Sequence, residues 1–509
     1  MTVESPFYAL QNGSDIRGIA IAMPQNEVTL TEERVTKIGS AFLTWLREKG
    51  TSKENKTIKI AIGQDSRLSG DALKQALIKG MEQASVEIID CGLATTPAMF
   101  MATVYPEFQV DGSIMITASH LPYEYNGLKF FTAAGGAEHE DIERILELAT
   151  EVEVRHMESI AMITRQDLLS VYAADLVEKI RKGISNSVNP EKPLTGRHII
   201  VDAGNGAGGF FVEQVLQPLG ADTTGSQFLD PDGQFPNHEP NPDNKEAMKS
   251  LKQAVLDHQA DLGIIFDTDV DRSALVDHTG QSFNRNNLIA LISAILLEEE
   301  QGATIVTNSA TSQHLETFIE ALGGKQDRYL TGYRNVINRA IEQNKAGVHA
   351  VLAIETSGHA ALKENYFLDD GAYLIAKILM ADAMLLTEGK TIGDLIASLG
   401  QPAETIEYRF VIIEEPIFEN GHQIIERFKQ YLAGKEHLSL VTDHLEGVRC
   451  NFNGPYGEGW FIVRMSLHEP LLVWTIENDY QNKITSLVEE LLPFFLEQKE
   501  LDHENIIKK

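Results

Sequence analysis

The chain has 509 residues, 43% hydrophobic and 23% charged, with 43 basic and 74 acidic residues and a formal net charge of −31. That length implies several cores rather than one, and a surface so acidic repels phosphate backbones, which argues against nucleic-acid binding. An anionic substrate must then be drawn in by a local cluster of Arg, Lys and metal, against the global field.

The N-terminal stretch MTVESPFYALQNGSDIRG has neither signal- nor transit-peptide character. No run approaches the ~18 apolar residues of a membrane span. Two cysteines, Cys91 and Cys450, lie far apart and form neither a disulfide framework nor a zinc site. The chain reads as a reduced, cytoplasmic protein without membrane partners, and a monomer is the expected state.

A unit of strand, polar loop, helix and strand recurs three times. The first copy is IKIAIGQDSRLSG (58–70), a helix through DALKQALIKGMEQA and the strand VEIIDCG. The second is HIIVDAGNGAGG (198–209), a helix FFVEQVLQPLG and a strand near TTGSQFLD. The third is ATIVTNSATS (303–312), a helix QHLETFIEALGG and DRYLTGYRN. Short β-branched runs predict buried strands, and Gly near the end of each helix is a C-terminal signal.

The tail differs. TIEYRFVIIE, VRCNFN, GWFIVRMSLH and LLVWTIEND read as strands, and FENGHQIIERFKQYLAG and QNKITSLVEELLPFFLEQ as helices. That pattern predicts an α+β domain with an antiparallel sheet. Linkers are expected at NSVNPEKPLTGR (186–197), near 301 and at GQPAET (400–405). The fold class is therefore three tandem related α/β domains, 1–190, 191–300 and 301–405, followed by an α+β domain, 406–509.

Two segments carry chemistry. In LGIIFDTDVDRSALVD (262–277) an apolar strand runs into Asp267, Asp269 and Asp271, then Arg272. Three carboxylates at this spacing repel one another unless a cation joins them, and oxygen-only ligands suit Mg²⁺. A solvated acidic turn is the plain alternative; the buried type of strand before it argues otherwise, because open α/β sheets place ligands at strand ends. In DGSIMITASHLPYEYNGLKFF (111–131) the strand SIMIT leads to Ser119 and His120, with Lys129 following. A serine there is a nucleophile if a base or metal activates it. Adjacent side chains on a turn point apart, so a Ser119–His120 dyad is not the expected arrangement.

Together these segments resemble the α-D-phosphohexomutase family. TASHLPYEYNGLK is similar to its phosphoserine loop and DTDVDR to its metal loop. NGSDIRG, IGQDSRLSG, DAGNGAGG, DGQFPNHEPNPD, IETSGHA and GWFIVRMSLHEP resemble its other signatures in order, from residue 12 to residue 470. The resemblance implies a heart-shaped enzyme of four domains, the first three with related mixed sheets, and an active site where they meet. Domain 1 would carry the phosphoserine loop, domain 2 the metal loop, domain 3 the sugar loop and domain 4 the phosphate loop.

It further implies that Ser119 carries a phosphate and, with Asp267, Asp269 and Asp271, holds Mg²⁺. The catalytic set would comprise Ser119, His120, Arg17, Arg272 and Lys129. Arg17 and Arg272 would flank the phosphoserine, and Lys129 would assist proton transfer. Glu355, Ser357 and His359 would bind the sugar, with Tyr333 and Arg334 from the TGYRN loop. Arg464, Ser466 and His468 would hold the other phosphate. The expected reaction interconverts hexose 1- and 6-phosphates, of glucose or mannose, through a hexose 1,6-bisphosphate that also serves as activator.

The recognition loops depart from the family pattern. Leu467 and His468 replace Gly and Thr, Leu471 and Val473 replace basic residues, Ile354 replaces a Gly, Leu121 an Asn and Tyr333 a His. That drift predicts altered specificity and motivates one alternative, a catalytically altered sugar-phosphate-binding protein on the same fold. A haloacid-dehalogenase-type phosphatase with Asp267 as nucleophile fits IIFDTDV but leaves the serine and sugar loops unexplained. GNGAGG (204–209) satisfies the dinucleotide fingerprint without a clear ribose-binding acid. Three features have plain readings: His238 fixes its loop, Asp370 caps the helix that follows, and 486–498 is a packing helix.

Overall fold

The computed structural model describes residues 5–50, 57–82, 86–153, 161–184, 189–442, 444–467 and 469–508. The chain folds into two compact units. One comprises residues up to Leu288 together with Ser357–Asp394; the other comprises Ile289–Thr356 and the chain from Leu395 onward.

The first unit contains two sheets. The larger runs in the order Gln11–Asn12, Asp15–Ile19, Tyr125–Thr132, Gly112–Ile116, Ile58–Gln64, Val86–Leu93, Met162–Arg165, with Gly135–Gly136 paired off Tyr125–Thr132. Its centre is parallel and its Asp15–Ile19 and Tyr125–Thr132 side antiparallel, so the sheet is mixed. The helix Glu32–Glu48 packs on it. Thr31 accepts from the Arg34 amide, Glu32 and Glu33 occupy the positive first turn, and Val35, Ile38, Phe42, Trp45 and Leu46 form the buried stripe. This helix meets Gly70–Met81 closely enough that a Cβ on Gly80 would lie 1.9 Å from the Thr36 carbonyl oxygen. Only glycine permits that approach.

The second sheet of this unit places Ile199–Asp202 parallel to Leu262–Phe266, which then pairs antiparallel with Ser273–Asp277, and that strand with Ser282–Phe283. Two expectations need correction here. The segment near TTGSQFLD forms no strand; its ladder to the neighbouring strand is reduced to the isolated bridges His198–Asp222 and Asp202–Gln227. The Asp222 side chain folds its segment into a turn by accepting from Thr224, which prevents a continuous ladder. The expected helix FFVEQVLQPLG is one wide turn, Phe211–Leu216, with the Gln217 amide bonded to the Val212 carbonyl. Pro218 offers no amide to extend it.

In the second unit Thr304–Asn308 lies between Lys325–Tyr329 and Ala350–Ile354, all parallel. The tail sheet is antiparallel throughout, in the order Leu438–Leu440, Val448–Phe452, Gly459–Met465, Leu471–Asn478, Glu404–Val411, Ile507–Lys508. Ile417–Leu432 and Ile484–Leu496 cover it, and Phe410, Phe428, Phe461, Trp474 and Phe495 fill the layer between. Each tail strand and helix expected from the sequence is present. No described helix is long and apolar enough to cross a membrane. Cys91 and Cys450 are both buried, and burial pushes each thiol up to about 12.

Candidate active site

The strand Leu262–Phe266 is wholly buried, and its chain reverses through 267–272 into Ser273–Asp277. Val270 takes a left-handed conformation in this reversal, φ 67°, which a β-branched residue adopts only when its surroundings compel it. The Gly371 amide donates to the Val270 carbonyl and helps hold the turn. As a result one oxygen from each of Asp267, Asp269 and Asp271 falls within 4.8 Å of the others, and all three residues are 0% exposed.

The glycine-rich loop after Ile199–Asp202 packs against this turn. The Ala207 amide donates to the Thr268 carbonyl, and a Cβ on Gly206 would lie 2.6 Å from that oxygen. The GNGAGG glycines thus serve close backbone packing beside the acidic turn. His238 bonds both oxygens of the buried Asp202, so it does fix its loop. Asp370 accepts from the Tyr373 amide and caps Gly371–Thr387, as read from the sequence.

Ser119 sits at the end of Gly112–Ile116, 1% exposed, with φ 50°. A serine held there costs about 1–3 kcal/mol. Its Oγ donates to Asp267 Oδ2 at 2.8 Å and accepts from Arg272 Nη2 at 2.9 Å. His120 Nδ1 lies 3.4 Å from Oγ but takes a 2.5 Å bond from Arg272 Nη2. The arginine, rather than a Ser–His dyad, therefore organises the serine. Lys129, on Tyr125–Thr132, donates to Asp271 Oδ2 at 2.5 Å and stands 3.6 Å from Asp269 Oδ2. Arg17 lies on the neighbouring strand opposite Gly127 and pairs with Asp15 at 2.9 Å.

The electrostatics follow from burial and crowding. Desolvation, then the Asp271 and Asp269 charges, push the Asp267 carboxyl well above its usual range. Burial also acts against Asp271, but Lys129 and Arg272 outweigh it and hold that carboxyl low. Two buried oxygens, Asp269 Oδ1 and Asp271 Oδ1, have no hydrogen-bond partner. Three crowded hard-oxygen donors with two such orphans fit a divalent cation. His359 forms an isolated bridge with Arg272 and lies 3.6 Å from Asp271 Oδ1 and 3.7 Å from Asp369 Oδ2. Burial and the nearby Arg272 and Lys129 charges keep its imidazole well below its usual pKa, hence neutral. Ser357 Oγ lies 2.9 Å from His359 Nδ1.

The first unit thus brings together Ser119, His120, Lys129, the three aspartates, Arg272 and His359. Arg17 and Ser357 also belong to the first unit, whereas Glu355, Tyr333, Arg334, Arg464 and Ser466 belong to the second. Glu355 Oε1 accepts from the Gly332 amide at 2.7 Å, beside Tyr333 and Arg334. Arg464 is the penultimate residue of the strand Gly459–Met465; the Ser466 amide bonds the Leu471 carbonyl and its Oγ accepts from the Glu469 amide. Leu467 packs on the Gly332 turn, 3.1 Å from where a Cβ there would stand. His468 lies outside the described residues.

Three residues that hold these parts were given no role by the sequence reading. Thr96 bonds Asp269 through both its hydroxyl and its amide. Arg67 donates to four carbonyls of the serine loop. Glu446 accepts from the Thr331 hydroxyl at 2.7 Å, from the Thr331 amide and from Ser309 Oγ. Arg67 had a signal, being a lone arginine in a small-residue loop at a strand end; Glu446 had none.

A buried serine set against a metal-ready acidic turn and an arginine has the parts that phosphoryl transfer requires. Models of the phosphoglucomutase/phosphomannomutase α/β/α domains I, II and III match residues 9–155, 172–280 and 284–402. A phosphoglucomutase of Neisseria gonorrhoeae is 30% identical over 474 residues, 92% of this chain and 93% of that one. A phosphoglucomutase/phosphomannomutase of Thermococcus kodakarensis is 31% identical over 458 residues, covering 90% and 92%. The crystal structure of a phosphoglucomutase/phosphomannomutase family protein from Burkholderia thailandensis superposes with a TM-score of 0.77 at 24% identity, over 97% of this chain and 98% of that one. The chain belongs to the phosphoglucomutase/phosphomannomutase family, the α-D-phosphohexomutases, and is an enzyme of that isomerase class. The dehalogenase-type and dinucleotide readings of its motifs are thereby set aside.

Proposed function

We propose that this enzyme interconverts the 1- and 6-phosphates of glucose or mannose through a phosphate carried on Ser119 and a hexose 1,6-bisphosphate, which also primes the serine. The observation that carries this reading is Ser119 Oγ held between Arg272 and Asp267 at the edge of three buried aspartates. Asp267, Asp269 and Asp271, with the serine phosphate, would hold Mg²⁺, which supplies charge neutralisation on the transferring group. Arg272 keeps the serine oxygen oriented and offers a fixed positive charge where negative charge develops. In the unphosphorylated serine Oγ donates to Asp267 Oδ2, which helps hold the oxygen in place. Lys129 is assigned to proton transfer at the sugar oxygen, His120 to supporting Arg272, and Arg17 to the phosphate's flank.

Glu355, Ser357 and His359 are assigned to the sugar, with Tyr333 and Arg334. Arg464, Ser466 and His468 are assigned to the phosphate that is not being transferred. The four-domain division at about 190, 300 and 405 belongs to the same reading, as does a cytoplasmic monomer. The test is a ³¹P NMR time course on glucose and mannose 1-phosphates with Mg²⁺ and a trace of 1,6-bisphosphate. Conversion to the 6-phosphate by wild type and not by Ser119→Ala supports the proposal. Release of inorganic phosphate, or no conversion of either sugar, defeats it; the second result favours the binding-protein reading suggested by the altered loops.

A further inference from the structure

We infer that Arg67 is the positioning residue of the serine loop, an inference that rests on Ser119 being the phosphorylated residue. The Arg67 side chain is completely buried. Its Nη1 donates to the Pro122 and Tyr125 carbonyls at 2.9 Å each; its Nη2 donates to Leu121 O at 2.7 Å and to Ser119 O. Its Nε faces Asp65 Oδ2 at 3.3 Å, and the Arg67 amide bonds Asp65 Oδ1.

A guanidinium presents five N–H groups in a rigid planar fork. Here four of them go to backbone carbonyls of one loop and the fifth faces a carboxylate. None is left for a substrate phosphate, so binding an anion is not the role of this arginine. The four carbonyls span residues 119–125, the reversal that carries Ser119 in its left-handed conformation between the strands Gly112–Ile116 and Tyr125–Thr132. The other contacts of Ser119 fix its oxygen and its amide: Oγ to Asp267 and Arg272, N to Thr117 Oγ1 at 2.8 Å. Arg67 fixes the remaining backbone group, the carbonyl.

The arginine is itself held from the other side. Its Cζ lies 5.3 Å from the centre of the Phe235 ring, and a Cβ on Gly233 would lie 2.8 Å from the Arg67 Cα. The loop DGQFP (232–236) therefore backs Arg67, and its effect on the serine is expected to pass through the guanidinium. Lysine has one charged nitrogen with three donors and cannot span four carbonyls.

The test uses the full chain with Arg67→Lys and Phe235→Leu. Three quantities are measured: the rate of ³²P uptake by Ser119 from labelled glucose 1,6-bisphosphate, KM for the hexose 1-phosphate, and hydrogen exchange of the peptide 117–127. For Arg67→Lys, uptake and kcat should fall about 100-fold, the scale of a misplacement near 1 Å. KM should stay within about twofold, because the loop's placement governs transfer rather than binding. Exchange in 117–127 should accelerate while other peptides keep their rates. Phe235→Leu should repeat the pattern at about threefold in kcat, as a partial loss of backing for the fork. Uptake and exchange at wild-type rates in Arg67→Lys overturn the inference. If that variant does not fold, wild-type exchange of 117–127 in Phe235→Leu overturns it instead. Failure of the wild-type protein to take up phosphate would sink the reading of Ser119, a result separate from any effect of the arginine.

Discussion

The two regions expected to meet the substrate are built differently. Around Ser119 the polar groups are buried and tied to one another, so each side chain has essentially one place to be. Around Gly332 and Arg464 the loops are tied by carboxylates, Glu355 and Glu446, and by the apolar contact of Leu467, while Tyr333, Arg334, Arg464 and Ser466 stay half-buried. Chemistry that moves a phosphate demands a rigid first region. Recognition tolerates variation in the second. The substitutions that depart from the family pattern fall mostly in that second region, which is where a change of sugar can be accommodated without disturbing transfer.

The largest test of this contrast is Ser119→Ala, expected to lower kcat at least about 10³-fold and abolish ³²P labelling. Measurable labelling of that variant would remove the serine from the rigid region altogether. Asp269→Asn should lower kcat about 10²- to 10³-fold and weaken Mn²⁺ binding, read by electron paramagnetic resonance, because one of three anionic oxygen donors is lost. Chelator treatment of the wild type should abolish activity, and added Mg²⁺ should restore it.

In the second region Glu446→Ala should raise KM about tenfold with labelling of Ser119 unchanged, since the Thr331 amide and hydroxyl lose their acceptor. A matching fall in the labelling rate would erase the distinction between the regions. His238→Gln probes a polar pair that is structural. Burial lowers the His238 pKa, but the bond to Asp202 outweighs it and leaves the folded-state value raised. Its contribution is fully present below the unfolded value of about 6.5 and is lost as pH rises through the folded value. The variant should therefore be about 1 kcal/mol less stable at pH 5.5, with the gap in Tm shrinking as pH rises. Smallest, Leu467→Gly should raise KM about threefold, by freeing the turn that Leu467 packs against.

Local chemistry made much of this legible. The strand LGIIF runs directly into the three aspartates, whose type and spacing suggest a cation, while Ser119 lies at a strand end 148 residues earlier and draws its expected role from the family resemblance. What the sequence could not convey was which distant groups close the site. Arg67 reaches Ser119 from 52 residues away and Thr96 reaches Asp269 from 173 away, and neither has a local pattern to announce its partner. The expected Ser–His separation also held only in part, because His120 turns toward the serine to accept from Arg272, a residue 152 positions distant. The strand expected near TTGSQFLD failed for a local reason that was present in the sequence, the Asp222–Thr224 turn. Apolar content was weighted there above turn chemistry.

The return of Ser357–Asp394 to the first compact unit gives the acidic turn a birth order. Arg272 and Val270 receive two of their backbone partners from His359 and Gly371, about a hundred residues later in the chain. At about 5–20 residues per second, synthesis leaves the turn without them for roughly 5–20 s. During that interval the three aspartates lie beside a strand that is finished and a scaffold that is not, so the nascent chain is an open carboxylate cluster before it is an enzyme.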